Sequence, residues 1–233
     1  MIDTPFLILA GGLATRLYPI TQNIPKSLIY IDNRPFIFHQ LDLLAEQDVQ
    51  SVILCVGHLG HEIVTTVGHR YKNINIQYSF DGDKRLGTGG AIKKAISERL
   101  IYDSFCVLYG DSYLPTNYGN VIEFHRKSMK SATMTVFKNT DQYDKSNILF
   151  ENETIVKYDK FTPDSNMKYI DYGFGVYEPS AFSKNICGEE FDLAKTLIRL
   201  VADKQLAGFE VFERFYEIGS MQGIQDTSIQ IKS

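Results

Sequence analysis

The chain is 233 residues long, 44% hydrophobic and carries a formal net charge of −4. That length buries one sizeable core, over one or two domains, and no stretch concentrates Lys and Arg on one face, which argues against nucleic acid or an anionic membrane as partner. The N-terminus lacks a basic n-region and no run approaches the roughly 18 apolar residues of a membrane span, so the expected location is cytoplasmic.

The first half alternates apolar runs with segments of helical period. FLILA (6–10) reads as a fully buried strand, residues 35–48 as a helix with Phe36, Phe38, Leu41, Leu44 and Ala45 on one face, and SVILCVG (51–57) as the next buried strand. A helix from His61 to Tyr71, a strand INIQYSF (74–80), a helix from Gly89 to about Ser97 and a strand FCVLYG (105–110) are expected next. This alternation predicts an α/β fold, a Rossmann-like three-layer sandwich around a mostly parallel sheet. After residue 131, ATMTVFK, SNILFE, TIVKYDKF and KYIDYGFGVY form closely spaced strands, predicting a mixed or antiparallel extension of that sheet. A helix at about 192–204, then a strand and a helix within GFEVFERFYEIGS and MQGIQDTSIQIK, close the chain. Cys55, Cys106 and Cys187 form an odd set without CxxC and read as small buried hydrophobes in a reducing compartment. No internal repeat or Pro/Ser-rich linker interrupts the chain, so one domain over 1–233 is expected.

In doubly wound sheets ligands bind beyond the carboxyl ends of the strands. There the sequence places Gly11, Gly12, Thr15 and Arg16 after the first strand, Leu86 to Gly90 after the third, and Gly110 with Asp111 after the fourth. Glycines permit close approach of backbone N–H groups to an anion, and Arg16 and Lys26 add fixed positive charge, which together is equipment for a polyphosphate. A tight turn is the plainer reading of Gly11 and Gly12. Neither GxxxxGK[ST] nor GxGxxG stands at the strand end, which excludes a P-loop and a dinucleotide fingerprint. For Asp111 the plainer alternative is a helix N-cap, and for Lys160 a solvated lysine. His58 and His61 stand three apart without an evident third metal ligand.

LAGGLATRL, PKSL, LGTGGAIKKA, YGDS and YEIGS, in that order across almost the whole chain, resemble the sugar-1-phosphate nucleotidyltransferases, or NDP-sugar pyrophosphorylases. Within that family, GTGGA with YIDYG is most similar to the heptose-1-phosphate guanylyltransferase branch. The resemblance implies transfer of a nucleotidyl group from an NTP to a heptose or hexose 1-phosphate, with release of pyrophosphate, for surface-glycan biosynthesis. It implies that Gly11, Gly12, Thr15 and Arg16 wrap the triphosphate with Leu9 beside the nucleotide, and that Lys26 contacts the α-phosphate. Asp111 and Glu217 would hold Mg2+, Lys160 would grip the acceptor phosphate, and Asp171, Tyr172 and Gly173 would meet the sugar. Arg16, Lys26 and Asp111 are then the catalytic set. Residues 1–131 become a nucleotide-binding half and 132–233 a sugar-phosphate-binding half, with NTP and sugar 1-phosphate as partners and the oligomeric state open. Two departures stand out: Ala14 occupies a usual glycine position, at about 1 kcal/mol if φ is positive there, and Glu217 is one methylene longer than the usual Asp.

For the base, Asp81 follows the strand that ends beside the glycine loop, and its carboxylate can accept both N1–H and N2–H2 of guanine, with Gly87 and Thr88 offering backbone groups to the same edge. GTP is therefore the expected donor. If Asp81 only caps the turn before Gly82, base choice rests on backbone groups; separately, a cytidylyltransferase or another-acceptor nucleotidyltransferase of the same fold is an alternative. A non-catalytic nucleotide-sugar-binding regulatory subunit is a further one, against which the retained Arg16, Lys26 and Asp111 argue.

Overall fold

The computed structural model describes residues 1–12, 15–139 and 141–232; the turn expected at Ala14 and the side chain of Thr15 lie outside what is described. Along the chain run β1 (Phe6–Leu9), the short pair β2 (Tyr30–Ile31) and β3 (Arg34–Pro35), α1 (Phe36–Glu46), β4 (Ser51–Val56), α2 (Gly60–Val67), β5 (Arg70–Tyr71) and β6 (Ile74–Phe80). Then come α3 (Gly87–Ser97), β7 (Phe105–Tyr109), β8 (Ser112–Tyr113), α4 (Tyr118–Ser128), β9 (Ala132–Lys138), β10 (Ile148–Glu151) and β11 (Thr154–Tyr158). β12 (Tyr169–Tyr177), α5 (Leu193–Ala202), β13 (Leu206–Val211), β14 (Tyr216–Glu217) and α6 (Met221–Lys232) follow.

Among the described residues, ten strands form one sheet in the order β10, β11, β13, β9, β12, β7, β1, β4, β6, β5. β7, β1, β4 and β6 are mutually parallel, as unbroken Val/Ile/Leu runs require of strands covered on both faces. The extension is mixed, as expected: β12 runs antiparallel to both β7 and β9, while β13 lies parallel to β9. Successive side chains of a strand point to opposite faces, so Phe6, Val52 and Leu54 pack with α1, α2 and α4, whereas Leu7, Ile53 and Cys55 pack with α3 and α5. Three layers result. Phe6 stacks on Phe174 at 5.9 Å between ring centroids, and Tyr118 closes edge-on against both, which fixes α4 to the middle of the sheet.

A smaller core of Leu17, Ile29, Ile31, Phe36 and Ile218, closed by Ile224 and Ile231 of α6, seats the connection between β1 and β2. This connection is a series of 3₁₀ turns at Thr15–Leu17, Ile20–Gln22 and Lys26–Leu28. Arg16 and Lys26 are thereby carried on packed turns.

Several elements differ from expectation. The helix after His61 ends at Val67, because Gly68 takes a φ of 72° and β5 pairs back onto β6. α4 is absent from the sequence expectations, although Asn117 caps it by accepting the Asn120 N–H and Tyr118, Val121, Ile122 and His125 repeat at helical spacing. Cys55 and Cys106 are buried as expected, but Cys187 is exposed, because it lies in the loop before α5 rather than in an apolar strand. Among the described residues no helix is long and apolar enough to cross a membrane.

Candidate active site

The carboxyl ends of β1, β6 and β7 open on one cavity of about 640 Å3. Leu9, Gly11, Gly12 and Arg16 line it after β1, Asp81, Gly87 and Thr88 after β6, and Gly110 with Asp111 after β7. The opposite end is built from the second half of the chain, with Asp144, Asn147, Lys160 and Asp171. Lys26 and Glu217 line the space as well.

Gly110 is dictated by packing: a Cβ there would stand 2.5 Å from the Leu9 carbonyl oxygen, so only glycine lets β7 hand over to Asp111 beside β1. Asp111 immediately precedes β8, which pairs with β14 so that Glu217 lies opposite Ser112 and the Ile218 N–H donates to the Asp111 carbonyl at 2.9 Å. This short ladder brings two carboxylates from distant parts of the chain together. The Lys26 ammonium lies against the Asp111 carboxylate, and a Cβ built on Gly219 would be 3.4 Å from Lys26 Nζ and 3.9 Å from an Arg16 guanidinium nitrogen. Arg16, Lys26, Asp111 and Glu217 therefore form one charged cluster on the cavity wall.

Glu217 keeps solvent access from the cavity mouth but has protein on most sides. That burial, followed by the Asp111 charge, pushes its carboxyl up to about 7. Two carboxylates that repel one another suit a divalent ion, and Mg2+ is commonly held by one or two carboxylates completed by phosphate and water oxygens. Among the described residues no group of three His, Cys, Asp or Glu side chains could hold a metal alone. The donor set thus fits Mg2+ that is shared with a phosphate. Since Glu217 has to lose its proton to bind a metal, millimolar Mg2+ is expected to raise Tm more at about pH 8 than at about pH 6. In the metal-free protein the sign is opposite: a carboxyl whose folded pKa is raised to about 7 makes the protein less stable as pH climbs from its ordinary value towards 7. Differential scanning fluorimetry at the two pH values checks this, and an equal gain at both would remove Glu217 from the site.

Asp81 also lines the cavity, its carboxylate packed between the ends of β1 and β4: a Cβ on Gly57 would stand 2.9 Å from Asp81 Oδ2, and one on Gly11 3.3 Å from it. Burial raises its pKa, while a hydrogen bond from the Leu86 N–H and the Lys94 charge oppose that rise. Gly87 and Thr88 line the cavity, but two glycines of α3 spend their N–H groups on the chain itself rather than facing an anion. Gly89 and Gly90 donate their N–H groups to the Phe191 carbonyl at 3.0 and 3.3 Å, and a Cβ on Gly89 would stand 2.2 Å from the Phe191 ring. Gly87, at φ 69°, equally has the Phe191 backbone against it. This helix start is filled by the chain's own segment.

At the other end, Lys160 pairs with Asp192 at 2.8 Å. Asp171 lies on the cavity floor, where burial pushes its carboxyl up to about 6 against the Gly173 N–H bond and the Lys160 charge. Tyr109 donates to it at 3.4 Å and Gly173 N–H at 3.0 Å. Two sequence candidates stand elsewhere. Tyr172 points to the opposite face of β12, buried against Phe137 and Phe215, because neighbouring strand positions alternate. Gly173 does not line the cavity; at φ 96° it falls within the register shift of β12 against β9 that turns Asp171 inward. Asp144, Asn147 and Asp192 were not expected. Asn147 accepts the Asp171 N–H, and Asn139 and Ser146 brace the loop through hydrogen bonds; the polar run NTDQYDKSN was the available signal.

A family model described as Nucleotidyl transferase matches residues 6–222. The chain belongs to the nucleotidyl transferase family. Among relatives of this nucleotidyl transferase, a D-glycero-alpha-D-manno-heptose 1-phosphate guanylyltransferase from Aneurinibacillus thermoaerophilus is 28% identical over 91% of this chain and 92% of its own length. A UTP–glucose-1-phosphate uridylyltransferase from Synechocystis sp. is also 28% identical, over 88% of this chain, which spans only 57% of that relative. Among solved structures, HddC from Yersinia pseudotuberculosis complexed with GMP-PN superposes with a TM-score of 0.79 at 21% identity, covering 98% of this chain and 99% of that one. The nucleotidyl transferase fold is thus shared beyond sequence similarity.

Proposed function

We propose that this nucleotidyl transferase moves a nucleotidyl group from an NTP to a sugar 1-phosphate, a heptose or hexose, giving an NDP-sugar and pyrophosphate. The reading rests on one observation: Arg16, Lys26, Asp111 and Glu217 line the same cavity as Gly11, Gly12, Lys160 and Asp171. Donor contacts would come from residues 1–131 and acceptor contacts from 132–233. An oxygen of the sugar phosphate attacks the α-phosphorus; as that P–O bond forms, the bond to the bridging oxygen breaks and pyrophosphate leaves with the electron pair. The attacking phosphate is already anionic near neutral pH, so no general base is required. The protein's contribution is alignment of two anions and neutralisation of developing charge. Lys26 faces the α-phosphate, Arg16 the leaving pyrophosphate, and Lys160 orients the acceptor. Mg2+ bound by Asp111 and Glu217 would supply further charge neutralisation at the reacting phosphates. Pyrophosphate release across the four NTPs and a set of sugar 1-phosphates tests the reading, which fails if no pair reacts.

GTP is the proposed donor. Asp81 lines the cavity, and the Aneurinibacillus relative is named a guanylyltransferase. A bidentate carboxylate contact to guanine N1–H and N2–H2 gives roughly ten- to a hundredfold preference over the other NTPs. Asp81→Asn is expected to reduce that preference in steady-state rates. A CTP preference, or a GTP preference untouched by the substitution, would favour a cytidylyltransferase.

A further inference from the structure

Lys160 sits in the turn after β11, a place from which a long flexible side chain has many directions open to it. One partner restrains it: Asp192 Oδ2 accepts from Lys160 Nζ at 2.8 Å. Asp192 itself has little freedom. Its other oxygen accepts the Ala194 N–H at 2.8 Å as the N-cap of α5, and its neighbours on both sides are bonded to the start of α3. The Phe191 N–H donates to the Leu86 carbonyl at 2.9 Å, the Phe191 carbonyl takes the Gly89 and Gly90 N–H groups, and the Leu193 N–H donates to Thr88 Oγ1 at 2.8 Å. The three residues 191–193 therefore form a strap fixed to α3, with the Asp192 carboxylate itself hydrogen-bonded to the Thr88 side chain, and the strap meets Lys160 through an ion pair.

We propose that Asp192 is a positioning residue of the acceptor end, holding Lys160 over the cavity from a strap bonded to α3. This rests on the assignment of Lys160 to the acceptor phosphate. An ammonium has three donors, so Lys160 can keep Asp192 while a phosphate takes another N–H. The alternative role for Asp192, a helix cap alone, is separable by chemistry. Ser and Asn both cap helices well, but neither keeps an acceptor for Lys160: the single oxygen of Asn is taken by the Ala194 N–H, and its NH2 group would face the ammonium. If Asp192 positions Lys160, Asp192→Ser should raise the acceptor KM by roughly fivefold, the scale expected for loss of a partly exposed ion pair and the order it imposes. Asp192→Asn should do likewise, since it keeps the cap and loses the carboxylate oxygen that Lys160 uses.

The experiment measures acceptor and donor KM and kcat for Asp192→Ser, Asp192→Asn, Lys160→Met and the Ser/Met double variant, with far-UV circular dichroism and Tm for folding; Asp192→Thr replaces the Ser variant should that one not fold. Expected are a raised acceptor KM for both Asp192→Ser and Asp192→Asn with Tm near wild type, since both keep the cap, and no further effect of the Ser substitution once Lys160 is Met. An unchanged or lowered acceptor KM in Asp192→Ser, with Lys160→Met impaired, overturns the positioning role and leaves the assignment of Lys160 intact. An unchanged acceptor KM in Lys160→Met overturns that assignment, and the inference with it.

Discussion

Asp111→Asn is expected to lower turnover by on the order of a hundredfold, about 2.7 kcal/mol of barrier at about 1.4 kcal/mol per factor of ten. The substitution keeps the shape of the side chain and removes a charge that has two neighbours of opposite sign. Lys26 loses its ion partner, which destabilises; Glu217 loses the carboxylate that repels it, which stabilises. Because these changes oppose, Tm of the ligand-free protein should move little while catalysis collapses. The same variant should lose the Mg2+-dependent rise in Tm, an observation independent of turnover. Pyrophosphate release within about threefold of wild type would show that no catalytic metal depends on this carboxylate.

Lys26→Met is the second large effect. If its ammonium serves the α-phosphate, as proposed, its loss should appear in kcat, by on the order of a hundredfold, with a smaller change in donor KM. A further consequence follows from the cluster. With the cation gone, Asp111 and Glu217 face one another without compensation, so this variant should be less stable than wild type above pH 7 and should recover more on Mg2+ addition. A variant that shows only a raised donor KM would make Lys26 a ground-state binding group.

Much of this arrangement could be read in the sequence, for identifiable reasons. Buried parallel strands must be apolar on both faces, so β1, β4 and β7 stand out as unbroken runs, and the residues immediately after them necessarily meet at one edge of the sheet. Gly11, Gly12 and Asp111 were legible on that ground. What comes from tertiary packing was not. The glycines of α3 look like an anion loop but accommodate Phe191, a residue a hundred positions away. Tyr172 adjoins Asp171 in the chain and lies on the other face of the sheet, while the bulge at Gly173 that sets this alternation has no local signature. Asp192 reads as a helix cap and is one; its second partner is 32 residues distant.

β12 is a late strand placed between two earlier ones, hydrogen-bonded to β7 on one side and β9 on the other. Its insertion makes the two halves of the chain inseparable as parts. A cut at residue 131 would strip β7 of its antiparallel neighbour and leave Phe174 without the Phe6 and Tyr118 rings that bury it. Neither piece would then have a closed core, so exchange of acceptor specificity between relatives by swapping the second half would have to carry this strand's contacts with it. Loop grafts at 139–147, which leave the ladder whole, are the form of recombination the architecture tolerates.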